Sequence, residues 1–253
     1  MTSEQESAAL SKSQLAAIDI ADWDRLADAY AAAIGGPEDR IYTMLRGGLW
    51  SSLGVDVSGL DVLDLGCGHG WLSALLAAKG ARVRGIDGSV ALLEHARRIA
   101  PTVEFARYDL VRDALPVDRE YDRIVAHMVL MDLADIDPVL SYVQRVLHPD
   151  GRFAFTMPHP CFFNYKTRTD ATTGELYCGV TDYLTSAEWW IDSYGGHRHY
   201  HRSLSYYVSA LQRHGLAVTM MIEPPQQSRT PDNAAFYQNI PKFLMIEAQH
   251  RDR

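Results

Sequence analysis

Residues 62–70 read VLDLGCGHG, an apolar run that passes directly into three glycines spaced as G-x-G-x-G. The run predicts a buried β-strand over residues 61–65, and the apolar residues of 70–79 predict a helix. Glycine lets a backbone turn tightly and lets a ligand approach closely, because it has no Cβ. The stretch therefore predicts a strand, a ligand-binding turn and a helix in direct succession.

The same alternation of short β-type runs and amphipathic helical runs continues to residue 157. Alternation at this interval is typical of right-handed βαβ units and of a parallel sheet covered on both faces. We predict strands over 61–65, 81–86, 102–107, 121–127 and 151–157, and helices over 70–79, 89–99 and 138–147.

The regions on either side of this core follow other patterns. Helical spacing predicts helices over 13–34, 38–53 and 203–214, and two further strands are predicted over 216–222 and 241–247. Residues 158–202 break the rhythm with 45 residues that include seven tyrosines and tryptophans. A long connection at the carboxyl end of a parallel strand is where a substrate lid is expected. A small subdomain that only packs its own aromatic rings is the alternative.

Length, charge and cysteine content limit the classes of function. A chain of 253 residues suits one α/β domain. Its formal net charge of −8 disfavours a nucleic-acid partner, because binding to phosphates depends on clustered Lys and Arg. No apolar run reaches the length of a membrane span and the polar start is unlike a signal peptide, so we expect a cytoplasmic protein. Three cysteines without a CxxC pair suggest neither disulfides nor zinc.

Carboxylates lie at or near the ends of the first three predicted strands, at Asp64, Asp87 and Asp109. Asp87 occupies the place where a carboxylate accepts the hydroxyl hydrogens of an adenosine ribose. Asp109 would accept a hydrogen from an adenine amino group while Leu110 packs against the ring. Three acids at one sheet edge would repel a phosphate-bearing cofactor, whereas a cationic sulfonium nucleoside would be tolerated.

Together, residues 60–157 resemble the core of the class I S-adenosylmethionine-dependent methyltransferases, and in particular a small-molecule subgroup of the type 11 kind. VLDLGCGHG resembles the family's first motif, GIDGS its ribose motif, ARYDL its adenine motif, and AHMVLMDLADID with VQRVLHPDGRF its later motifs. The resemblance implies a Rossmann-like, doubly wound α/β fold. Its seven-stranded sheet would have the order 3-2-1-4-5-7-6, with only strand 7 antiparallel.

The resemblance also implies one methyltransferase domain over residues 1–253, with S-adenosylmethionine as cofactor and S-adenosylhomocysteine as product. Its parts would be an N-terminal helical cap (1–58), a cofactor-binding core (59–157), a substrate lid after strand 5 (158–202), and a C-terminal helix and strand pair (203–253).

Site residues follow from the resemblance position by position. Asp64, with the Gly66 carbonyl, is the candidate acceptor for the amino end of the cofactor. The positions predicted to bind the cofactor are Tyr30, Asp64, Gly66, Gly68, Asp87, Gly88, Asp109, Leu110 and His127. The positions predicted to contact the substrate are Tyr42, Met131, His159, Tyr165, Trp189 and His201.

Histidines supply the candidates for a catalytic base and for metal ligands. A base is needed only if the acceptor is protonated at working pH, and His159, flanked by prolines after the fifth strand, is the candidate. A turn histidine bonded to the backbone is the alternative. His197, His199 and His201 alternate and could converge on a metal. We favour a solvated or substrate-facing loop for these three and expect no metal.

The function implied is methyl transfer by in-line displacement. The Asn/Asp-Pro-Pro-aromatic tetrad associated with methylation of nucleic acids and proteins is absent, which favours a small metabolite. The aromatic lid predicts a flat or apolar acceptor, methylated on O, N or C in natural-product metabolism. Exposed lid aromatics are consistent with a homodimer. The alternatives are a protein that retains the cofactor without methylating, such as a pericyclase, and a nicotinamide-dependent dehydrogenase.

Overall fold

The computed structural model describes residues 10–36, 38–226 and 234–251. The part up to residue 158 begins with two helices and then alternates strands and helices, as the sequence predicts. The helices are α1 (Lys12–Ala33), α2 (Arg40–Leu53), α3 (Trp71–Ala78), α4 (Val90–Ile99) and α5 (Asp137–Val146). The strands are β1 (Asp61–Leu65), β2 (Arg82–Asp87), β3 (Glu104–Arg107), β4 (Tyr121–His127) and β5 (Leu147–Pro158).

The insertion, residues 158–202, folds as two β-hairpins. The first pairs β6 (Lys166–Thr169) with β7 (Leu176–Gly179), and the second pairs β8 (Ala187–Ile191) with β9 (His197–His201). These four strands were not predicted, because each is short and the pairing partner lies across a turn or a longer loop.

The C-terminal part completes the sheet with α6 (Leu204–Arg213), β10 (Leu216–Ile222), the short helix α7 (Ala234–Gln238) and β11 (Phe243–His250). Helix α7 was not predicted. The last predicted strand, 241–247, is observed two to three residues further along the chain.

The central sheet has the order β3-β2-β1-β4-β5-β11-β10. Strand β1 pairs in parallel with β2 and β4, and β11 runs antiparallel to both of its neighbours, β5 and β10. This confirms the predicted order 3-2-1-4-5-7-6 with one antiparallel strand. Strand β5 is longer than predicted, because Leu147 already pairs with Tyr121 of β4.

Two apolar clusters cover the two faces of the sheet, and the alternation of side chains along β1 assigns its residues to them. Leu63 and Leu65 belong to the cluster that includes α5 and α6, whereas Val62 belongs to the cluster that includes α2 and α3. Asp64 therefore shares the face of Val62 and is directed toward α3.

Helix α1 lies across the start of α4 and against the insertion. Ser11 begins α1 through a capping box with Gln14. The Asp24 carboxylate accepts hydrogen bonds from the Ser89 hydroxyl at 2.6 Å and from the backbone N–H of Ala91. On the other side, the Tyr200 hydroxyl donates to the Asp19 carboxylate at 2.7 Å. These contacts place α1 over the carboxyl ends of the parallel strands. None of the described helices combines the length and the apolar character needed to cross a membrane.

Candidate cofactor and acceptor site

The glycine turn after β1 leaves open backbone at the carboxyl edge of the sheet. Gly66 and Gly68 both have positive φ, 64° and 55°. A Cβ on Gly66 would lie 2.6 Å from both methyl groups of Val129, whereas a Cβ on Gly68 would meet only the ring of Tyr30, at 3.8 Å. Gly66 is thus required by the close approach of Val129, and Gly68 faces open space.

A cavity of about 100 Å³, here called the sheet-edge cavity, lies between this turn and α1. Eight of the nine positions predicted to bind the cofactor line this cavity, together with residues of α1 and of the segment after β4. The predicted positions that line it are Tyr30, Gly66, Gly68, Asp87, Gly88, Asp109, Leu110 and His127.

Asp87 ends β2 and faces the sheet-edge cavity with a fixed carboxylate. One carboxylate oxygen accepts from the backbone N–H of Gly68 and the other from that of Ser89, both at 2.8 Å. Burial raises the pKa of the Asp87 carboxyl, and these two bonds oppose the shift. A carboxylate offers about four acceptor sites, so capacity remains on Asp87 to accept a hydroxyl hydrogen.

Asp109 lines the same cavity, but its carboxylate is largely engaged by its own segment. It accepts from the backbone N–H groups of Val111 and Arg112 at 2.9 and 3.1 Å, and from the Arg112 guanidinium. A carboxylate offers about four acceptor sites, so about one is left for a ligand. Leu110 beside it is buried and apolar, as packing against a flat ring requires.

Asp64 departs from its predicted place. It does not line the sheet-edge cavity, and its Oδ2 accepts a 2.6 Å hydrogen bond from the Ser73 hydroxyl of α3. Burial raises the pKa of the Asp64 carboxyl to about 7. The physical reason is strand alternation, which turns residue 64 away from the cavity and toward the helix.

A second cavity, here called the lid cavity, lies between the sheet edge and the insertion and has a volume of about 140 Å³. It adjoins the sheet-edge cavity, since five residues line both: Trp23, Tyr30, His127, Met128 and Asp132. Met131 of the predicted substrate positions lines it too.

Aromatic rings from α1 and from the insertion form much of the wall of the lid cavity. The ring centroids of Trp23 and Tyr30 are 5.3 Å apart, and Tyr30 meets Tyr194 edge-on at 5.3 Å. His197 packs against Trp23 at 4.8 Å. Of these residues, only Tyr30 was predicted from the sequence to belong to the site.

The shared wall also contains two unusual features. Met128 has a φ of 59°, a conformation that is costly for a residue other than glycine. Burial lowers the pKa of the neighbouring His127 to about 4, and its Nδ1 is 2.8 Å from the Thr156 hydroxyl. His127 is thus neutral near pH 7.

Asp132 is the functional candidate that sequence reasoning missed. It ends a single turn of 3-10 helix, Leu130–Asp132, after β4. Its Oδ1 is inaccessible to solvent and has no hydrogen-bond partner within the described part of the chain. Burial raises the pKa of its carboxyl well above the usual value. The only signal in the sequence was an acid inside the resembled motif AHMVLMDLADID.

His159, the predicted catalytic base, lines neither of these cavities. Its Nε2 is 2.7 Å from the Glu223 carboxylate, and its Nδ1 accepts from the backbone N–H of Cys161 at 3.1 Å. Both ring nitrogens are therefore engaged in the turn after β5. This geometry corrects the expectation of a free base and fits the alternative of a turn histidine.

The remaining predicted substrate positions lie elsewhere. Tyr42 is buried beside α3, and its hydroxyl accepts from the indole N–H of Trp50 at 2.8 Å. Tyr165, Trp189 and His201 line a third cavity, inside the insertion, that shares no lining residue with the lid cavity. The structure thus brings these three together but separates them from the sheet edge.

The three alternating histidines of β9 are packed among aromatic rings. His199 lies between Phe163 and Trp189, nearly parallel to both, and the ring of His201 stacks on Trp189 at 4.5 Å. Within residues 10–36, 38–226 and 234–251, no three His, Cys, Asp or Glu side chains are arranged to hold a metal ion. The insertion therefore packs its own rings while also lining the lid cavity.

Comparisons with known proteins agree with this architecture. Residues 62–151 match a family model described as a methyltransferase domain. A probable S-adenosylmethionine-dependent methyltransferase from Mycolicibacterium smegmatis is 35% identical over 107 residues, 42% of this chain and 41% of that protein. A trans-aconitate 2-methyltransferase from Paracidovorax citrulli is 36% identical over 99 residues, 38% of each chain. The chain thus spans about two-fifths of the length of these curated relatives.

Similarity to solved structures extends further along the chain. The crystal structure of an S-adenosylmethionine-dependent methyltransferase from Mesorhizobium loti superposes with a TM-score of 0.69 at 27% identity, covering 82% of this chain and 98% of that one. Residues 62–151 thus match a methyltransferase domain, and the sheet order and the glycine turn are similar to those of the class I S-adenosylmethionine-dependent methyltransferases.

Proposed function

We propose that the chain transfers the methyl group of S-adenosylmethionine to a small molecule held in the lid cavity. The observation that carries this proposal is the shared wall of the two cavities, which includes Tyr30, His127 and Asp132. Displacement at a methyl carbon requires the attacking atom, the carbon and the sulfur to lie in line, so two adjoining compartments suit the reaction.

The sheet-edge cavity is proposed to hold the nucleoside part of the cofactor. The free lone pairs of Asp87 would accept the ribose hydroxyls, and Leu110 with the remaining acceptor site of Asp109 would hold adenine. The backbone of Gly66 and Gly68, which lines this cavity, would lie along the methionine part. In this arrangement the sulfur faces the wall that the two cavities share.

The residues act mainly by binding and orientation. The sulfonium of the cofactor supplies an already activated methyl group, so alignment contributes most of the rate. Trp23, Tyr30 and Tyr194 would hold a flat acceptor and exclude water from the shared wall. His159 has no part in this mechanism, since it lies outside both cavities.

The acceptor is proposed to be a small neutral or cationic metabolite and not a nucleic acid. One relative is named as a methyltransferase of trans-aconitate, which is an acid. In this chain no Lys or Arg is among the described residues that line the lid cavity, and the net charge is −8. A cytoplasmic location, a role in natural-product metabolism and a homodimer stay predictions of the sequence.

Calorimetry with S-adenosylmethionine, S-adenosylhomocysteine and NAD tests the proposal. We expect both sulfur nucleosides to bind the wild type and Asp87→Ala to weaken them by about 10- to 150-fold, since hydrogen bonds to a charged acceptor contribute about 1.5–3 kcal/mol. Glu94→Ala, which removes an exposed carboxylate from α4, is the control and should bind as the wild type does.

Binding of NAD without binding of either sulfur nucleoside would contradict the proposal. Release of S-adenosylhomocysteine in the presence of small acceptors is the second measurement. Tight cofactor binding with no release across a broad panel of acceptors would favour a protein that retains the cofactor without turnover.

A further inference from the structure

The charges around the lid cavity are one-sided. Asp39 and Asp132 line it, and among its described lining residues there is no Lys or Arg. The other titratable side chains in its wall are Tyr30, Tyr194, His127, His197 and His199. Burial lowers the pKa of all three histidines, to about 4 for His127 and about 3 for His199, so they are neutral near pH 7. The wall therefore contains acids with no cationic counterpart.

Asp132 is the more exceptional of the two acids. The Asp39 side chain is occupied, because it caps α2 by accepting from the backbone N–H of Tyr42 at 2.9 Å. Oδ1 of Asp132 is buried and has no partner in the described part of the chain. An ionised carboxylate is unfavourable away from water unless it is paired. A cationic group in the lid cavity would supply that pair.

A second residue that lines the lid cavity also has an unpartnered polar atom. His197 is only 8% exposed, and its Nδ1 has no hydrogen-bond partner within the described residues. A neutral imidazole nitrogen of this kind accepts or donates one hydrogen bond. Asp132 and His197 thus both line the cavity, and each has one buried polar atom without a hydrogen-bond partner in the described part of the chain.

The aromatic wall is suited to the same kind of ligand. Trp23, Tyr30 and Tyr194 surround the cavity with rings that meet at steep angles, 78° and 89° for the two pairs. The faces of Trp and Tyr rings attract ammonium groups, most strongly where water is excluded. The ring faces carry the negative part of the quadrupole and therefore suit a cation, while the carboxylate supplies the opposite charge.

We infer that the acceptor is an amine, held as its ammonium form between Asp132 and the rings of Trp23, Tyr30 and Tyr194. This inference rests on the proposed methyl transfer and names its substrate class. Asp132 takes one proton from the ammonium and leaves a neutral amine. The nitrogen lone pair then forms the N–C bond while the C–S bond breaks, and the electron pair of the C–S bond stays on sulfur. The products are S-adenosylhomocysteine and an N-methylated ammonium.

Binding of three probes of similar shape to the protein loaded with S-adenosylhomocysteine tests the inference. The probes are 2-phenylethylamine, 2-phenylethanol and 3-phenylpropanoate, which present an ammonium, a hydroxyl and a carboxylate. We expect the amine to bind at least about tenfold more tightly than the other two. Asp132→Asn should remove this preference, and Asp135→Asn, which changes an acid of the same segment outside both cavities, should keep it.

Several results would overturn the inference. If the amine binds the wild type no more tightly than the alcohol or the carboxylate, the inference is wrong. This result needs no variant, so it holds whether or not Asp132→Asn folds. A preference that survives Asp132→Asn would also overturn the inference. Asp132→Asn could instead weaken the binding of S-adenosylmethionine alone and leave the binding of S-adenosylhomocysteine and of the probes unchanged. That result would mean that the carboxylate pairs with the sulfonium and not with the acceptor.

The same experiment separates this inference from the proposed function. Loading with S-adenosylhomocysteine is measured first, and a wild type that does not bind it contradicts the methyl-transfer proposal itself. If loading succeeds and the probes do not differ, only the amine inference fails. Mass spectrometry of 2-phenylethylamine incubated with S-adenosylmethionine then reports whether an N-methylated product forms.

Discussion

The carboxylate of Asp87 accepts a hydrogen bond from the backbone N–H of Gly68 at 2.8 Å. This bond joins the end of β2 to the glycine turn after β1, so the proposed ribose acceptor and the proposed path of the methionine part are fixed relative to each other. The proposed cofactor site is therefore held by two paired parallel strands, β1 and β2, and the insertion lines the proposed acceptor side.

The close approach at the glycine turn predicts the effect of a single methyl group. Gly66→Ala places a Cβ 2.6 Å from the Val129 methyls at a positive φ. We expect a loss of about 1–3 kcal/mol in the free energy of unfolding and weaker S-adenosylhomocysteine binding. Thermal unfolding and calorimetry measure the two effects.

Gly47→Ala is the matched control, because a Cβ on that helical glycine meets nothing within 4 Å. It should be neutral or slightly stabilising. Equal effects of the two substitutions would show that the turn tolerates a Cβ at residue 66 and that Val129 does not require glycine there.

Burial of Asp64 predicts a pH-dependent difference in stability. Its folded pKa is raised to about 7, so the protonated form is favoured in the native state, and the stability it contributes is lost as pH rises toward and through 7. Asp64→Asn removes this titration. We expect the variant to gain stability relative to the wild type as pH rises: its free energy of unfolding minus that of the wild type should be larger by about 2.5 kcal/mol at pH 8 than at pH 5.

Urea unfolding of both proteins at the two pH values measures this difference, and the contributions of the histidines cancel because both proteins retain them. A difference that does not change with pH would mean that Asp64 is ionised throughout, with its pKa held low by the Ser73 hydrogen bond.

The bonds of His159 predict a structural role. His159→Ala should lower the free energy of unfolding by about 1–3 kcal/mol, since it removes the hydrogen bonds to Glu223 and from Cys161. S-adenosylhomocysteine should bind with unchanged affinity, because His159 lines neither cavity. Glu223→Gln keeps an acceptor at that position and should have a smaller effect. Unchanged stability of His159→Ala would refute this assignment.

The first hairpin of the insertion lies apart from both cavities, which predicts that it can be removed. Lys166 and Gly179 are paired across β6 and β7, so a short Gly-Gly link can replace residues 167–178. We expect S-adenosylhomocysteine affinity to stay within about twofold of the wild type, since no deleted residue lines either cavity. A large loss of affinity would show that the hairpin supports the cofactor side.

The sheet and most of the residues that line the sheet-edge cavity could be predicted from the sequence because their determinants are local. Apolar runs set β1 and β4 to the residue, and the glycine spacing with an acid at the end of β2 located the sheet-edge cavity. Asp64 was misplaced, although the sequence held the signal: Val62 and Asp64 alternate with Leu63 and Leu65, so one pair must face away from the other.

The acceptor side could not be predicted in this way, because it is assembled from distant segments. His159 meets Glu223 across 64 residues, and Tyr194 meets Tyr30 across two elements that share no sequence pattern. Asp132 is one of three acids in the resembled motif AHMVLMDLADID, and nothing in the sequence distinguishes it from the other two. Its significance comes from burial without a partner, which only the packing of α1 and the insertion around it reveals.

A crystal structure of the protein with S-adenosylhomocysteine tests the central claim most directly. We predict the nucleoside in the sheet-edge cavity, with both ribose hydroxyls within hydrogen-bond distance of Asp87 and the sulfur directed at the wall that Tyr30 and Asp132 share with the lid cavity. Density for the nucleoside in any other cavity, or a sulfur that faces away from the lid cavity, would contradict the account.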